Sequence, residues 1–381
     1  MNIVITDIRY KMALAPLWSL SQAGYQVVCG EADGVSREKC LGFYSKYCQQ
    51  TIRWSPQEEP ALAIAGASPT GSVVLPVGRE TLRSFSRSAG WRDQVKVLVS
   101  PPEVLDRADD KAEVQRLAAS LGIPTPETYV RRREETVEEL SLRVRYPVIL
   151  KYRDGESLGL KSWERYRIAE GPSRFQTQYR AMEEVQNAPV VQDYLSGQDV
   201  GLAMIMDEQS RPVDFFCYVS QREYPLSGGP TCLCRTVFSR PLVEYGARLL
   251  GALGFRGLAM LDFKGTPDQP FLLEVNPRLW GSACLATAAG STLYESWVKA
   301  TLGQADPLDL SSCEPRYQVG QAMKVFPHCV LAAGKALARG RVRDFCRDMK
   351  VILNPAVPQD GNLLGDKAPG RRHLRNLLGG S

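Results

Sequence analysis

Two oxygen ligands one residue apart, Glu274 and Asn276, stand in the stretch LLEVNPRLWGS at 272–282. In a β-strand alternate side chains share a face, so these two project together while Val275 points the other way. If GLAMLDF at 257–263 pairs antiparallel with FLLEVN at 271–276, Asp262 comes to lie beside Glu274. Two carboxylates and an amide oxygen then meet one ion, and hard oxygens of this kind suit Mg²⁺, or Mn²⁺, that also holds nucleotide phosphates. Pro277 ends the strand and sends Arg278 onward, where a planar guanidinium fork fits a phosphoryl or carboxylate oxygen. The same residues also describe an edge hairpin with solvated acids, and strand geometry leaves both readings open.

Cations and polar turns upstream could serve the same anion. Lys151 ends the apolar run PVILK, and Asp110–Lys111 opens a helix that stops at Gly122 before Pro124 and Pro126. VVQDYLSGQD at 190–199 places Gln192, Asp193, Leu195 and Asp199 around a strand end. In QREYPLSGGPTCLCRT at 221–236, Arg222 and Arg235 flank Gly228–Gly229, a turn whose backbone amides could face an anion or simply close a hairpin. Cys232-x-Cys234 is the one tight cysteine pair, and with His328 and His373 as the sole histidines a zinc site is not expected. Neither histidine sits near a serine or thiol motif, which argues against hydrolase chemistry.

The elements that must position these residues read as α/β followed by α+β. NIVIT, a helix through Ala13–Ala23, YQVVCG, SVVLPV, a helix near Arg79–Ala89 and VKVLV form a doubly wound, Rossmann-like opening. The turn after its first strand is TDIRYKMA, without the glycines of a dinucleotide site, so NAD is not expected despite Glu31 and Asp33 on strand two. Helices are expected over Glu134–Val144, Arg174–Gln186 and Leu242–Leu253, and GLAMIMD with VDFFCYVS reads as an antiparallel pair. From about Pro355 onward the chain is turn-rich and basic, and a loosely ordered end is expected.

A chain of 381 residues, 44% hydrophobic and 23% charged, is long enough for two or three packed lobes. No apolar run reaches membrane length, the N-terminus MNIVITDIRYK carries Asp7 and Arg9, and ten scattered cysteines read as reduced thiols, so a cytoplasmic protein with no membrane contact is expected. The net charge of +5 is mild and requires no nucleic-acid partner.

With Lys111, Lys151, Asp262, Glu274, Asn276 and Arg278 in this order, the sequence resembles the ATP-grasp superfamily, including biotin carboxylase, the carbamoyl-phosphate-synthase large subunit and the D-alanine ligases, over roughly residues 1–300. The resemblance implies a Rossmann-like domain at 1–105, an N-lobe with a flap at 106–190 and a C-lobe with the metal site at 191–305, and beyond it the chain reads as a helical extension with a basic tail at 306–381. It further implies that Asp262, Glu274 and Asn276 hold magnesium, that Lys111 and Lys151 lie on the phosphates of ATP, that Gln192, Asp193 and Leu195 face adenine, and that Asp199 takes the ribose. Arg278 and Arg222 would act on the transferring group, with Gly228, Gly229 and Arg235 on the substrate. Gln192 stands where many members carry Glu, and the flap, YRDGESLGLKSW, has only Gly155 and Gly159, with Ser157 or Lys161 as substitute donors.

The activity implied is an ATP-dependent carboxylate–amine ligase working through an acyl-phosphate on small-molecule carboxylate and amine substrates, with a homodimer as one arrangement open to it. Two alternatives are a bicarbonate-using carboxylase or carbamoyl-phosphate-type enzyme and a non-catalytic ATP-binding module.

Overall fold

A computed structural model describes residues 1–153, 158–160, 164–224, 231–326 and 328–378. Strand β1 (Asn2–Ile5) lies between β2 (Gln26–Ala32) and β4 (Val73–Leu75), with β3 (Gln50–Trp54) beyond β2, all parallel. β1, β2 and β4 are short apolar runs buried on both faces, as a sheet covered by helices requires, whereas β3 at the edge buries only Ile52 and Trp54. The expected helices fall at Leu14–Gln22 and Arg79–Arg87. VKVLV differs from expectation: it contributes one bridge, Lys96 to Val73, rather than a strand. Val95 and Val97 sink into the core beneath the sheet, and the chain then enters a helix at Pro102, which leaves no length for a ladder.

A second, antiparallel sheet holds β5 (Thr128–Tyr129), β6 (Val148–Lys151), β7 (Tyr166–Ala169) and β8 (Val190–Asp193) in the order β5-β8-β6-β7. Helices Val137–Arg143 and Pro172–Glu183 cover it, the first opened by a reciprocal cap between Thr136 and Glu139. This lobe has a small core of its own around Leu140, Val148, Phe175 and Val191.

The third sheet is antiparallel and six-stranded: β9 (Gln198–Met206), β10 (Pro212–Glu223), β11 (Thr231–Thr236), β12 (Gly257–Thr266), β13 (Gln269–Asn276) and β14 (Ala322–Lys324), ordered β13-β12-β9-β10-β11-β14. Its core is continuous with that of the parallel sheet, joining Ile3, Ile5 and Trp18 to Leu202, Phe216 and Leu261. Helix Lys111–Ser120 is clamped to the sheet edge by Gln115, whose amide donates to the carbonyls of Leu272 (2.9 Å) and Leu273 (2.8 Å).

The C-terminal segment corrects the expectation of a loose end. Helix Ala368–Leu378 returns to the first lobe, where the Trp18 indole donates to Asp366 at 2.9 Å, the Ser45 hydroxyl donates to the same carboxylate, and Arg372 donates to the Glu38 carbonyl. Its partners lie more than three hundred residues upstream, so a local reading of turn-rich, basic sequence could not find them. Among the described residues no helix is long and apolar enough to cross a membrane.

Candidate active site

The hairpin of β12 and β13 sets Asp262 opposite Glu274 and Met260 opposite Asn276, with a register shift between Asp262 and Phe263. Asn276 donates its amide to Asp262 at 2.8 Å and to Glu274 at 3.3 Å. Burial, Glu274 and Asp199 together push the Asp262 carboxyl up to about 7. For Glu274 burial acts upward, yet Lys111, Lys151 and Asn276 outweigh it and bring the carboxyl down to about 2. One acid is therefore held charged by lysine while its neighbour resists a second negative charge.

Two lysines from different elements converge on this pair. Lys111 opens its helix behind Asp110, whose carboxylate caps the backbone amides of Ala112 (2.8 Å) and Glu113 (3.0 Å), and its ammonium reaches Glu274 at 2.7 Å. The Asp–Lys pair thus divides its work, with the aspartate fixing the helix and the lysine reaching the acids. Lys151 ends β6 and donates to Gln192 Oε1 at 3.0 Å, and Gln192 in turn donates to Thr128 at 3.0 Å. Burial, followed by the nearby Lys111 charge, lowers Lys151 to about 8. Asp199, at the start of β9, pairs with Lys264 at 2.7 Å; burial acts upward on it, but Glu223 and Lys264 carry it below the ordinary carboxylate range. Arg278 follows β13 after Pro277, donates to the Leu279 carbonyl at 3.2 Å, and lends its charge to Asp262. Leu195 is half-buried just past β8.

Three expected site residues point elsewhere. Asp193 alternates to the side of β8 away from Gln192, where Tyr129 donates to it at 2.6 Å and Arg145 pairs with it at 3.1 Å. Arg222 sits among register shifts in β10 and is held by Asp348 (2.6 Å) and Asp344 (3.1 Å) of helix Val342–Leu353. Arg235 is exposed on the wrong face: the row Asp262, Gly201, Tyr218, Thr236 runs across β12, β9, β10 and β11, and Arg235, paired with Val219, is one residue out of phase with it. Gly228 and Gly229 lie outside the described residues, as do Gly155, Ser157 and Lys161 of the expected flap.

Residues that sequence reasoning missed complete the floor. A Cβ on Gly201 would lie 2.3 Å from the Tyr218 ring, so the glycine makes room for that ring in the row beside Asp262. Glycine inside a strand was the available signal. Tyr218 stacks on Trp280 with ring centroids 6.2 Å apart and planes 13° from parallel. Burial, with Asp262 nearby, drives the Tyr218 phenol well above its ordinary range, so it stays neutral. Cys232 and Cys234 are buried in β11, and among the described residues no three His, Cys, Asp or Glu side chains gather as a closed metal cage. The acid pair with Asn276 is instead an open set of hard oxygens, and the part of the upward push on Asp262 that follows burial, the negative charge of Glu274 and Asp199, is what a divalent cation relieves.

Comparison with known proteins gives a family match over part of the chain and several solved structures of similar fold. Residues 187–325 match the family described as ATP-grasp in the biosynthetic pathway with Ter operon. Among solved structures, biotin carboxylase from Campylobacter jejuni, in complex with β,γ-ATP, is similar at 16% identity and a TM-score of 0.63, covering 84% of this chain and 74% of that one. N5-carboxyaminoimidazole ribonucleotide synthetase from Thermus thermophilus is similar at 17% identity and 0.57, covering 83% and 81%. Phosphoribosylglycinamide synthetase from Anaerococcus prevotii is similar at 12% identity and 0.56, covering 84% and 79%.

Proposed function

We propose that this chain is an ATP-grasp enzyme, an ADP-forming ligase that activates a small-molecule carboxylate as an acyl-phosphate and passes the acyl group to an amine. The observation that carries this reading is the convergence of Lys111 and Lys151, from two separate elements, on the Asp262–Glu274–Asn276 set. A nucleotide-binding module without chemistry needs cations for phosphates but no paired acids beside them.

In this reading Lys111 and Lys151 hold phosphate oxygens, and Gln192 and the chain through Leu195 border the base. Asp199, steadied by Lys264, takes the ribose hydroxyls. Asp262, Glu274 and Asn276 hold magnesium or manganese, which when bound neutralises the phosphates. Arg278 lies next to the acids, where its guanidinium stabilises charge on the phosphoryl group as it moves to the carboxylate. Positioning and charge neutralisation are the protein's main contributions to such a transfer. Arg222 and Arg235, turned away from the acids, have no part in it. We place the working protein in the cytoplasm, without nucleic acid.

Carboxylate-dependent ADP release in the presence of hydroxylamine tests the reading. A trapped hydroxamate identifies the acid and is the expected outcome. Dependence on bicarbonate alone would move the assignment to a carboxylase, and nucleotide binding without ADP release from any acid would reduce the protein to a binding module.

A further inference from the structure

We propose that Lys11, held in place by Asp360, anchors the far end of the acid substrate through a second anionic group, so that the substrate is a dianion such as a dicarboxylate or a phosphorylated carboxylate. This rests on the ligase reading and adds the substrate class to it. Lys11 begins the short helical turn Lys11–Ala13 after β1, at the carboxyl end of the parallel sheet, where open α/β sheets bind their ligands. Its ammonium pairs with Asp360 at 2.5 Å; the Asp360 side chain is 0% exposed, whereas that of Lys11 is 20% exposed. The acid is spent inside the protein, and the ammonium has three protons to donate, not all of which one carboxylate takes. Burial works against the lysine's charge, but Asp360 outweighs it and lifts its pKa above the ordinary value, so the cation persists.

The placement of this cation suits the far end of a substrate. The thiols of Cys234 and Cys284 feel its charge, and Cys234 pairs with Ser220 on β10, two residues beyond Tyr218 and on the same face of the sheet as Asp262. From β12 to β11 is three strand spacings, about 14 Å. Tyr218 floors that interval, with Trp280 stacked on it, so a ligand spanning it meets an aromatic surface between two charged ends. The chain's two histidines, His328 and His373, also lie within the field of Lys11; burial and that charge lower both, leaving neutral rings able to donate to an anion. Asp360 belongs to the C-terminal extension and Lys11 to the first lobe, so this end of the site is built from outside the nucleotide-binding lobes.

The test is calorimetric titration of the full-length protein, saturated with Mg-ADP, with dicarboxylates from succinate to sebacate, with ω-phosphonocarboxylates, and with singly charged alkanoates of matched length. Doubly charged acids of the fitting length are expected to bind about tenfold or more tighter than their matches, as one charge-assisted contact predicts. Lys11→Met should remove that advantage and Lys11→Arg keep most of it. Because Lys11→Met leaves a buried carboxylate unpaired, the double variant Lys11→Met/Asp360→Asn guards against misfolding. It should show the same selective loss with Mg-ADP affinity unchanged, whereas a purely structural tie would alter melting and spare selectivity. Absence of a dianion preference in the native protein, or its persistence in the double variant, overturns the proposal. Failure of the hydroxamate assay with the dianion preference intact breaks the ligase reading alone.

Discussion

The two antiparallel sheets hold opposite halves of the site in different ways. The six-stranded sheet, with Asp262, Glu274 and Asn276, shares one continuous core with the parallel sheet. The four-stranded sheet, with Lys151 and Gln192, closes over a core of a dozen or so side chains that is separate from the others among the described residues. Acids that hold a cation need a fixed frame, because carboxylate spacing decides which ion fits. In the proposed ligase, the lysine and strand that admit and release a nucleotide would be better carried on a lobe able to shift as a unit, with the acids left in place.

The sharpest way to break this contrast is to cut one core at a time. Phe175→Ala in the small lobe and Phe215→Ala in the shared core each remove a fully buried ring, at a cost of about 3–5 kcal/mol. Hydrogen exchange should show Phe175→Ala lowering protection over 128–193 alone, and Phe215→Ala lowering it in both the parallel and the six-stranded sheets. Equal spread of the two effects would mean that the lobes are not separate units.

Next in size is Glu274→Gln, which removes the acid that Lys111 holds charged at 2.7 Å. Turnover is expected to fall about 10²–10³-fold, as for loss of one preorganised electrostatic contact. The gain in nucleotide affinity on adding Mg²⁺ should vanish with it, a readout that needs no substrate. Retention of that gain would move the metal off the hairpin.

Gly201→Ala tests the rigidity of the frame. Its new Cβ meets Tyr218 ring atoms at 2.3 and 2.5 Å and the Met260 methyl at 2.7 Å, in the row that contains Asp262. Overpacking of this kind costs about 1–3 kcal/mol, measurable as a lower urea midpoint. Mg²⁺-dependent nucleotide binding should weaken as well, since the ring cannot yield without disturbing its neighbours.

The hairpin of Asp262 and Glu274 was legible in the sequence because its rules are local: period-two alternation, apolar runs and a turn within a dozen residues determine which side chains share a face. The Asp110–Lys111 helix start was legible for the same reason. What escaped depends on distant partners. Nothing near Asp193 announces that Tyr129 and Arg145 will claim it, and nothing near Arg222 announces Asp348. The face on which Arg235 falls follows from alternation only once β11 is known to pair with β10 at Tyr218 and Thr236. Asp366, which pins the last helix to Trp18 and Ser45, is invisible until the fold brings the two ends of the chain together.

The smallest effect probes the four-stranded lobe through protons. Lys151 titrates near 8 in place of its ordinary 10.5, because burial and the adjacent Lys111 disfavour its charge. The folded-state value lies below the unfolded one, so between the two the unfolded chain binds more protons, and stability rises with pH across that window. Below about 8 the lysine is charged in both states and its cost is fully present. Nucleotide binding runs the other way, since phosphates require the charged form. From pH 8 upward the affinity for Mg-ADP should fall by about tenfold per unit, the limit for uptake of one proton. Lys151→Met should flatten both profiles, leaving affinity low and nearly constant from about pH 7 to 9.5 and removing the alkaline gain in urea resistance. A native affinity that held steady across that range would mean the nucleotide does not draw on the small lobe's lysine, and the division of labour between the two sheets would fail at its own contact point.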